Sequence, residues 1–174
     1  MSRTVVLDLE TTGLSPFKGD RVIEIGALAI ERGEVLRTFH TLVNVRKKIP
    51  WRASKVHGIT DDMLIGQPSP ENVYPAFFEF ISDSLLVAHN ARFDLSFLRY
   101  EFGRFGMSFA NRSACTLQLA RRRFPLLPIV LQLWRCIFSD VCRMIAVSTG
   151  PLMTLCLRQE SGWRWRVSLY CETR

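Results

Sequence analysis

The sequence predicts an α/β fold: a mixed sheet, an antiparallel meander plus parallel strands, flanked by helices. Two observations carry that expectation. Residues 4–10 (TVVLDLE), 20–30 (DRVIEIGALAI) and 34–43 (EVLRTFHTLV) are rich in β-branched and apolar residues and are separated by short polar segments, the pattern of three consecutive strands. Between residues 69 and 123 helical and strand-like patterns alternate, which adds strands to such a sheet through helical connections.

Each later element has its own signal. Ser69, Pro70 and Glu71 start a helix, with a capping side chain before a proline at the first helical position. Val73, Phe77 and Ile81 then recur every fourth residue, with Tyr74 and Phe78 beside them, as one wide apolar face. Residues 84–88 (SLLVA) predict a short strand. The stretch from Phe93 to Phe102 predicts a second helix with Phe93, Phe97 and Leu98 turned inward. Residues 113–123 (SACTLQLARRR) predict a third, with Arg121, Arg122 and Arg123 at its solvated end. This order allows the first strand and the strand at 84–88 to lie side by side.

At 174 residues and 48% hydrophobic content, the chain suits a single domain with its own core. No apolar run is long enough to span a bilayer, and MSRTVV lacks the zones of a secretory signal, so a soluble, cytoplasmic protein with no membrane partner is expected. Five cysteines, an odd number without a CxxC pair, speak against a disulfide framework and against a zinc knuckle. The formal charge of +7 and a pI near 9.6 favour a polyanionic partner, with nucleic acid the first candidate.

The stretch VVLDLETTGL places Asp8 and Glu10 in an apolar run that reads as a buried strand. Residues two apart on a strand point to the same face, so both carboxylates aim into one place. Without a cation they repel, and one of them has to stay protonated. A hard divalent ion removes that conflict, since Mg²⁺ takes carboxylate and water oxygens and leaves positions for phosphate. Asp94, in the first turn of the helix that follows HNAR, is the candidate third acid of a two-metal site for phosphodiester cleavage.

Four segments, LDLETTGL at 7–14, VHGIT at 56–60, HNARFDLSFL at 89–98 and CTLQLARRRFP at 115–125, together closely resemble the DnaQ-like 3′–5′ exonucleases, those similar to the proofreading ε subunit of DNA polymerase III. The resemblance covers residues 3–127. It implies a ribonuclease H-like fold, four metal-binding acids, a histidine that activates water, and two divalent ions, Mg²⁺ or Mn²⁺. Asp8, Glu10 and Asp94 match three of those acids. Thr11, Thr12, Gly13 and Leu14 match the turn that lies against the terminal nucleotide, and Asn90 and Phe93 match residues lining the same cleft. His57 has two readings, a contact near the 3′ end or a packing role in the HGI turn. His89 reads as a turn residue, and neither histidine is assigned as the base. The implied partners are the 3′ end of DNA, with RNA as the alternative, and the catalytic subunit of a DNA polymerase.

The family's base and fourth acid come from a later helix, as His, four residues, Asp. Nothing after residue 127 matches that pattern: no His follows His89, and Asp140 is the only Asp of the tail. Residues 129–174 hold four of the five Cys and three of the four Trp, and TGPLMTLC and SGWRWRVSLYC show no sustained helical period where the family has two helices. A frameshift accounts for both facts. If Ser148 to Thr154 is encoded TCC ACC GGG CCG CTG ATG ACG, the frame that starts at the last base of the Ser codon reads His-Arg-Ala-Ala-Asp-Asp. The final Asp does not depend on codon choice, because Met followed by Thr always yields GAC in that frame. The same frame across Pro128 to Ser139 can encode an amphipathic helix. The expectation is an exonuclease domain at 3–127, truncated, followed by a non-homologous, out-of-frame tail at 128–174.

Three function classes follow from these residues: a metal-dependent 3′–5′ exonuclease, a catalytically dead nucleic-acid-binding module, and a polymerase-associated subunit. Salt-dependent retention of oligonucleotides marks the second and copurification the third.

Overall fold

The computed structural model describes residues 3–123, 153–160 and 164–171. Five strands form one sheet in the order β3-β2-β1-β4-β5, where β1 is Thr4–Thr11, β2 Val22–Glu31, β3 Glu34–Leu42, β4 Leu85–Ala88 and β5 Ser113–Cys115. β1 pairs antiparallel with β2, and β2 with β3 through the short turn at Arg32 and Gly33, which is the meander expected from the sequence. On its other edge β1 runs parallel to β4, and β4 parallel to β5. The adjacency of the first strand to the strand before HNARFD is therefore present.

Alternation along β1 separates two faces. Val5, Leu7 and Leu9 are buried, whereas Val6 is half-buried and Asp8 open to solvent. The sequence suggests a buried strand; β1 is buried on one face only, because the described helices pack beneath Val5, Leu7 and Leu9. Those helices are α3 (Pro70–Ile81) and α4 (Ala91–Gly103), and they bring Tyr74, Phe77, Phe80, Phe97 and Phe102 into the same core. Phe39 of β3 joins it, with its ring 5.0 Å from that of Phe77 and 5.4 Å from that of Phe80. Burying such rings supplies most of the apolar transfer energy of the domain.

One buried ion pair ties the layers together. Glu101, fully buried near the end of α4, accepts two bonds from Arg21 at the entrance to β2, 2.6 Å from Nε and 2.9 Å from Nη2. The fork geometry satisfies both carboxylate oxygens, which a buried acid requires.

The structure adds elements that periodicity does not reveal. Helices α1 (Trp51–His57) and α2 (Asp61–Leu64) flank the HGIT segment and are too short to show a period. Residues 113–123 are not one helix: Ser113–Cys115 are β5, and α5 starts at Thr116. Three residues carry no helical or strand period of their own, and the free edge of β4 supplies their partner. α4 begins at Ala91, two residues before Phe93, because Asn90 caps it from the left-handed region, at φ 61°.

Beyond Arg123 the described segments are β6 (Met153–Glu160) and β7 (Arg164–Cys171), an antiparallel pair running from Met153 opposite Cys171 to Glu160 opposite Arg164. Strands there agree with the lack of helical period in TGPLMTLC and WRWRVSLYC. The stretches at 128–139 and around Ser148 that bear on the reading frame, and Asp140, lie outside the described residues.

Candidate active site

β1 delivers its two acids on the face away from the core. A bulge between Glu10 and Thr11 then breaks the ladder and turns the chain into the TTGL loop. Asp94 arrives from the first turn of α4 and is almost fully buried, at 2% exposure. Burial raises its pKa; the backbone amides of Asp94 itself and of Leu9, the residue between Asp8 and Glu10, act in the opposite direction and lower it. The three acids expected from the sequence are near enough for their charges to act on one another, Asp94 feeling both Asp8 and Glu10.

Their electrostatics show the cost of that gathering. Burial pushes Asp94 up to about 8, and the neighbouring Asp8 and Glu10 charges push the same way. Glu10 rises to about 8, through burial and then the charges of Asp8 and Glu24. Asp8 rises to about 6, again through burial first and Glu24 second. Asp8 is exposed at its tip yet surrounded by protein mass on most sides, the situation of a carboxylate on the floor of an open cleft. A set of oxygen ligands that repel each other suits a divalent cation, whose charge reverses every one of these shifts. Among the described residues no three side chains of His, Cys, Asp or Glu are already gathered around one point. A cation here therefore depends on water or ligand oxygens as well.

Glu24 escaped the sequence reading. It lies directly across the ladder from Glu10 and adds a fourth carboxylate to the cluster. The alternation of VIEIGAL puts Glu24 on the outward face of β2, but only the hairpin register brings it opposite Glu10. His40, remote in chain order, sits on β3 with Nε2 2.8 Å from Glu24, which places an exposed imidazole at the edge of the site.

His57 ends α1 and is buried beside Thr11 and Glu24. Its Nδ1 accepts the Ile59 amide at 3.0 Å, closing the HGI turn. In the neutral ring Nε2 therefore carries the proton, and burial lowers the pKa so that the ring stays neutral. Nε2 is buried and has no hydrogen-bond partner among the described residues. A donor held that way can bind an acceptor and cannot take a proton from water, so the turn role and a ligand contact are compatible while a base role is not. His89 is tied to Thr116 of α5, 3.1 Å from Nδ1 to Oγ1, as fits a turn residue.

The TTGL loop presents little polar side chain. The Thr11 hydroxyl donates to the Gly13 carbonyl at 2.6 Å, and that of Thr12 accepts the Arg21 amide at 3.0 Å, so both are consumed within the turn. A Cβ at Gly13 would collide with the Asp20 carboxylate, which is why glycine stands there. Leu14 projects with 87% exposure, a large apolar side chain offered to solvent. Asn90 is exposed and makes no side-chain cap bond, and Phe93 is half-buried with its ring 5.0 Å from that of Phe97.

A protein-family model described as an exonuclease matches residues 5–135. The chain belongs to that exonuclease family. One solved structure that aligns at 19% identity and a TM-score of 0.64 is the zinc-bound form of E. coli exonuclease I in complex with single-stranded DNA. The chain is 43% identical over 122 residues to the DNA polymerase III ε subunit of Aquifex aeolicus, a match covering 70% of this chain and 60% of that protein. It is 41% identical over 121 residues to the PolC-type DNA polymerase III of Clostridium perfringens, covering 70% of this chain and 8% of that protein. The chain thus spans less than two thirds of the length of each of these relatives, 60% of the first and 8% of the second. Among solved structures, exonuclease X in complex with 5′ overhanging duplex DNA aligns with a TM-score of 0.60 at 22% identity, over 94% of this chain and 79% of that one. Exonuclease I without ligand aligns at 0.64 and 18% identity, over 76% and 33%. These likenesses establish the ribonuclease H-like α/β fold, and the ε-subunit relatives bear out the family resemblance read from the motifs.

Proposed function

We propose that residues 3–127 form a metal-dependent 3′–5′ exonuclease domain acting on the end of a nucleic-acid strand. The observation that carries the proposal is the convergence of Asp8, Glu10 and Asp94, each pushed up by burial and by its neighbours' charges. Asp8, Glu10 and Asp94, together with water and phosphate oxygens, would hold two divalent ions, Mg²⁺ or Mn²⁺, which would supply charge neutralisation for phosphodiester cleavage. Leu14 and Phe93 wedge the terminal nucleotide, the backbone of Thr11, Thr12 and Gly13 lies along it, the Asn90 amide donates to its sugar or phosphate, and His57, buried beside Thr11, adds a contact once substrate binding uncovers its Nε2. All of these groups address a sugar-phosphate terminus and not a base sequence, so DNA and RNA both fit them, and the DNA polymerase III relatives favour DNA. The ε-subunit relatives support association with a polymerase catalytic subunit.

The same reading assigns slow turnover to this 174-residue sequence. It has no histidine after His89 to serve as water-activating base, and His57 is in the wrong tautomer to replace it. A positioned general base contributes typically about 10²–10⁴-fold. Residues 128–174 are proposed to be an out-of-frame translation, and reading the coding DNA for His and Asp at the stated spacing decides that point.

The direct test is release of nucleotide from a 3′-labelled single strand in Mg²⁺ or Mn²⁺, beside an Asp8→Ala control. Slow, metal-dependent release that disappears in the control is expected. Release that survives Asp8→Ala, or that starts from a 5′ label, sinks the proposal. Strand binding without any release selects the second reading, a binding module.

A further inference from the structure

The segment RKKIPWRASK, residues 46–55, holds five cations, Arg46, Lys47, Lys48, Arg52 and Lys55, and no acid. It leads into α1, whose residues divide sharply. Trp51, Arg52, Lys55 and Val56 are exposed, while Ala53 and Ser54 are half-buried and His57 is buried. Trp51 and Lys55 are one turn apart, as are Arg52 and Val56, so one continuous face mixes apolar surface with positive charge. Trp51 is 68% exposed, and the Arg52 guanidinium lies 5.8 Å from the centre of its ring. Among the described residues Lys48, Arg52 and Lys55 enter no ion pair. Lys47 does: it reaches the Gly19 carbonyl at 2.6 Å and Asp20 at 3.3 Å, which fastens the segment to the loop after TTGL.

A lone exposed indole would need no explanation, but this one shares a face with exposed Val56, Arg52 and Lys55, a combination of apolar surface and positive charge that suits a polyanion with flat rings. The far end of the same helix identifies it. His57 borders Thr11 and Glu24 at the acid cluster, and six residues of helix place Trp51 about 9 Å further along the axis. At about 3.4 Å per stacked nucleotide, that is between two and three nucleotides from a terminal residue in the cleft.

We propose that the exposed face of α1 is a stacking platform for the nucleotides preceding the 3′ terminus, with Trp51 taking a base face and Arg52, Lys55 and Lys48 following the phosphates. The proposal rests on the nuclease reading above, and it adds a specific property: affinity for single strands that grows with length and shows no base preference. Charge sign and continuity with the cleft favour a nucleic-acid strand over a protein partner for this face. Every base has a π-face, so such a platform is sequence-tolerant.

The test uses the full chain in an Asp8→Ala background, which prevents cutting, and compares 5′-fluorescein-labelled oligothymidylates, a dimer and a dodecamer, by fluorescence anisotropy. The dodecamer is expected to bind more tightly than the dimer. Adding Trp51→Ala should weaken the dodecamer about five- to a hundredfold and leave the dimer unchanged. Trp51→Phe should keep most of the gain. Arg52→Gln with Lys55→Gln should flatten the salt dependence of dodecamer binding by about 1.4 in log K against log salt. Equal binding of dimer and dodecamer, or a dodecamer indifferent to Trp51→Ala, overturns the platform and leaves the cleft standing. Failure to bind either strand overturns the nuclease reading and the platform with it.

Discussion

On one side of β1, Val5, Leu7 and Leu9 are sealed into the core beneath two helices, at no more than 5% exposure. On the other side of the same strand, Asp8 and Glu10 stand two residues apart with Glu24 across the ladder, and Val6, Leu28 and Val87 are only half-buried. The inward face lowers the free energy of folding through apolar burial. The outward face raises it, because carboxylates whose pKa values have climbed are held together against their own repulsion. Apolar burial and the paired carboxylates are thus assigned to opposite faces of one eight-residue strand.

The strongest way to sharpen this contrast acts on the outward side alone. Re-establishing the shifted frame after residue 127 should raise nucleotide release about 10²–10⁴-fold in the 3′-label assay, with the hydrogen-exchange protection of the β1, β2 and β3 amides unchanged. A restored frame without any gain in rate would remove the missing base as the cause of slow turnover.

On the inward side, Arg21→Ala leaves the buried Glu101 carboxylate with only the longer 3.9 Å pairing to Arg104 among the described ion pairs and should cost about 3 kcal/mol in urea unfolding, while Leu7→Ala should cost about 2–5 kcal/mol. A cost under about 1 kcal/mol for either would mean that this face relaxes freely.

The acids give a prediction of opposite sign. In chelator, the folded state binds more protons than the unfolded chain between the ordinary carboxylate range, near 4, and about 8, so stability falls as pH rises through that window. Asp94→Asn should therefore raise the chelator melting temperature at pH 8 by at least about 5 °C and leave it unchanged at pH 4. Mg²⁺ or Mn²⁺ should recover the melting temperature of the parent chain and not that of the variant. A melting temperature that climbs from pH 4 to pH 8 without metal would contradict the gathering of the acids. The smallest effect belongs to Val6→Thr, within about 1 kcal/mol, since that side chain faces outward and is only half-buried.

Much of this arrangement could be read from the chain. Strand periodicity placed Asp8 and Glu10 on one face, and the apolar run before HNAR placed Asp94 near them, because both depend on spacing along one element. Glu24 was not legible, since its proximity to Glu10 arises from hairpin register, and His40 reaches the cluster only through the next strand. β5 was hidden for a related reason: a three-residue strand is defined by the edge it joins. The state of His57 was also hidden. Its sequence context suggests a turn and a ligand contact equally, and only the Ile59 amide at Nδ1 shows which nitrogen is left to donate.

Arg21 has a consequence beyond stability. Its backbone amide and carbonyl pair with Thr12 in the TTGL turn, and its guanidinium grips Glu101, seven residues along the helix from Asp94. Seven helical residues span about 10 Å of stiff rod, so the TTGL loop and the helix that carries Asp94 share one datum. Drift at either end transmits to the other, and this single arginine sets the tolerance to which the two sides of the cleft are aligned.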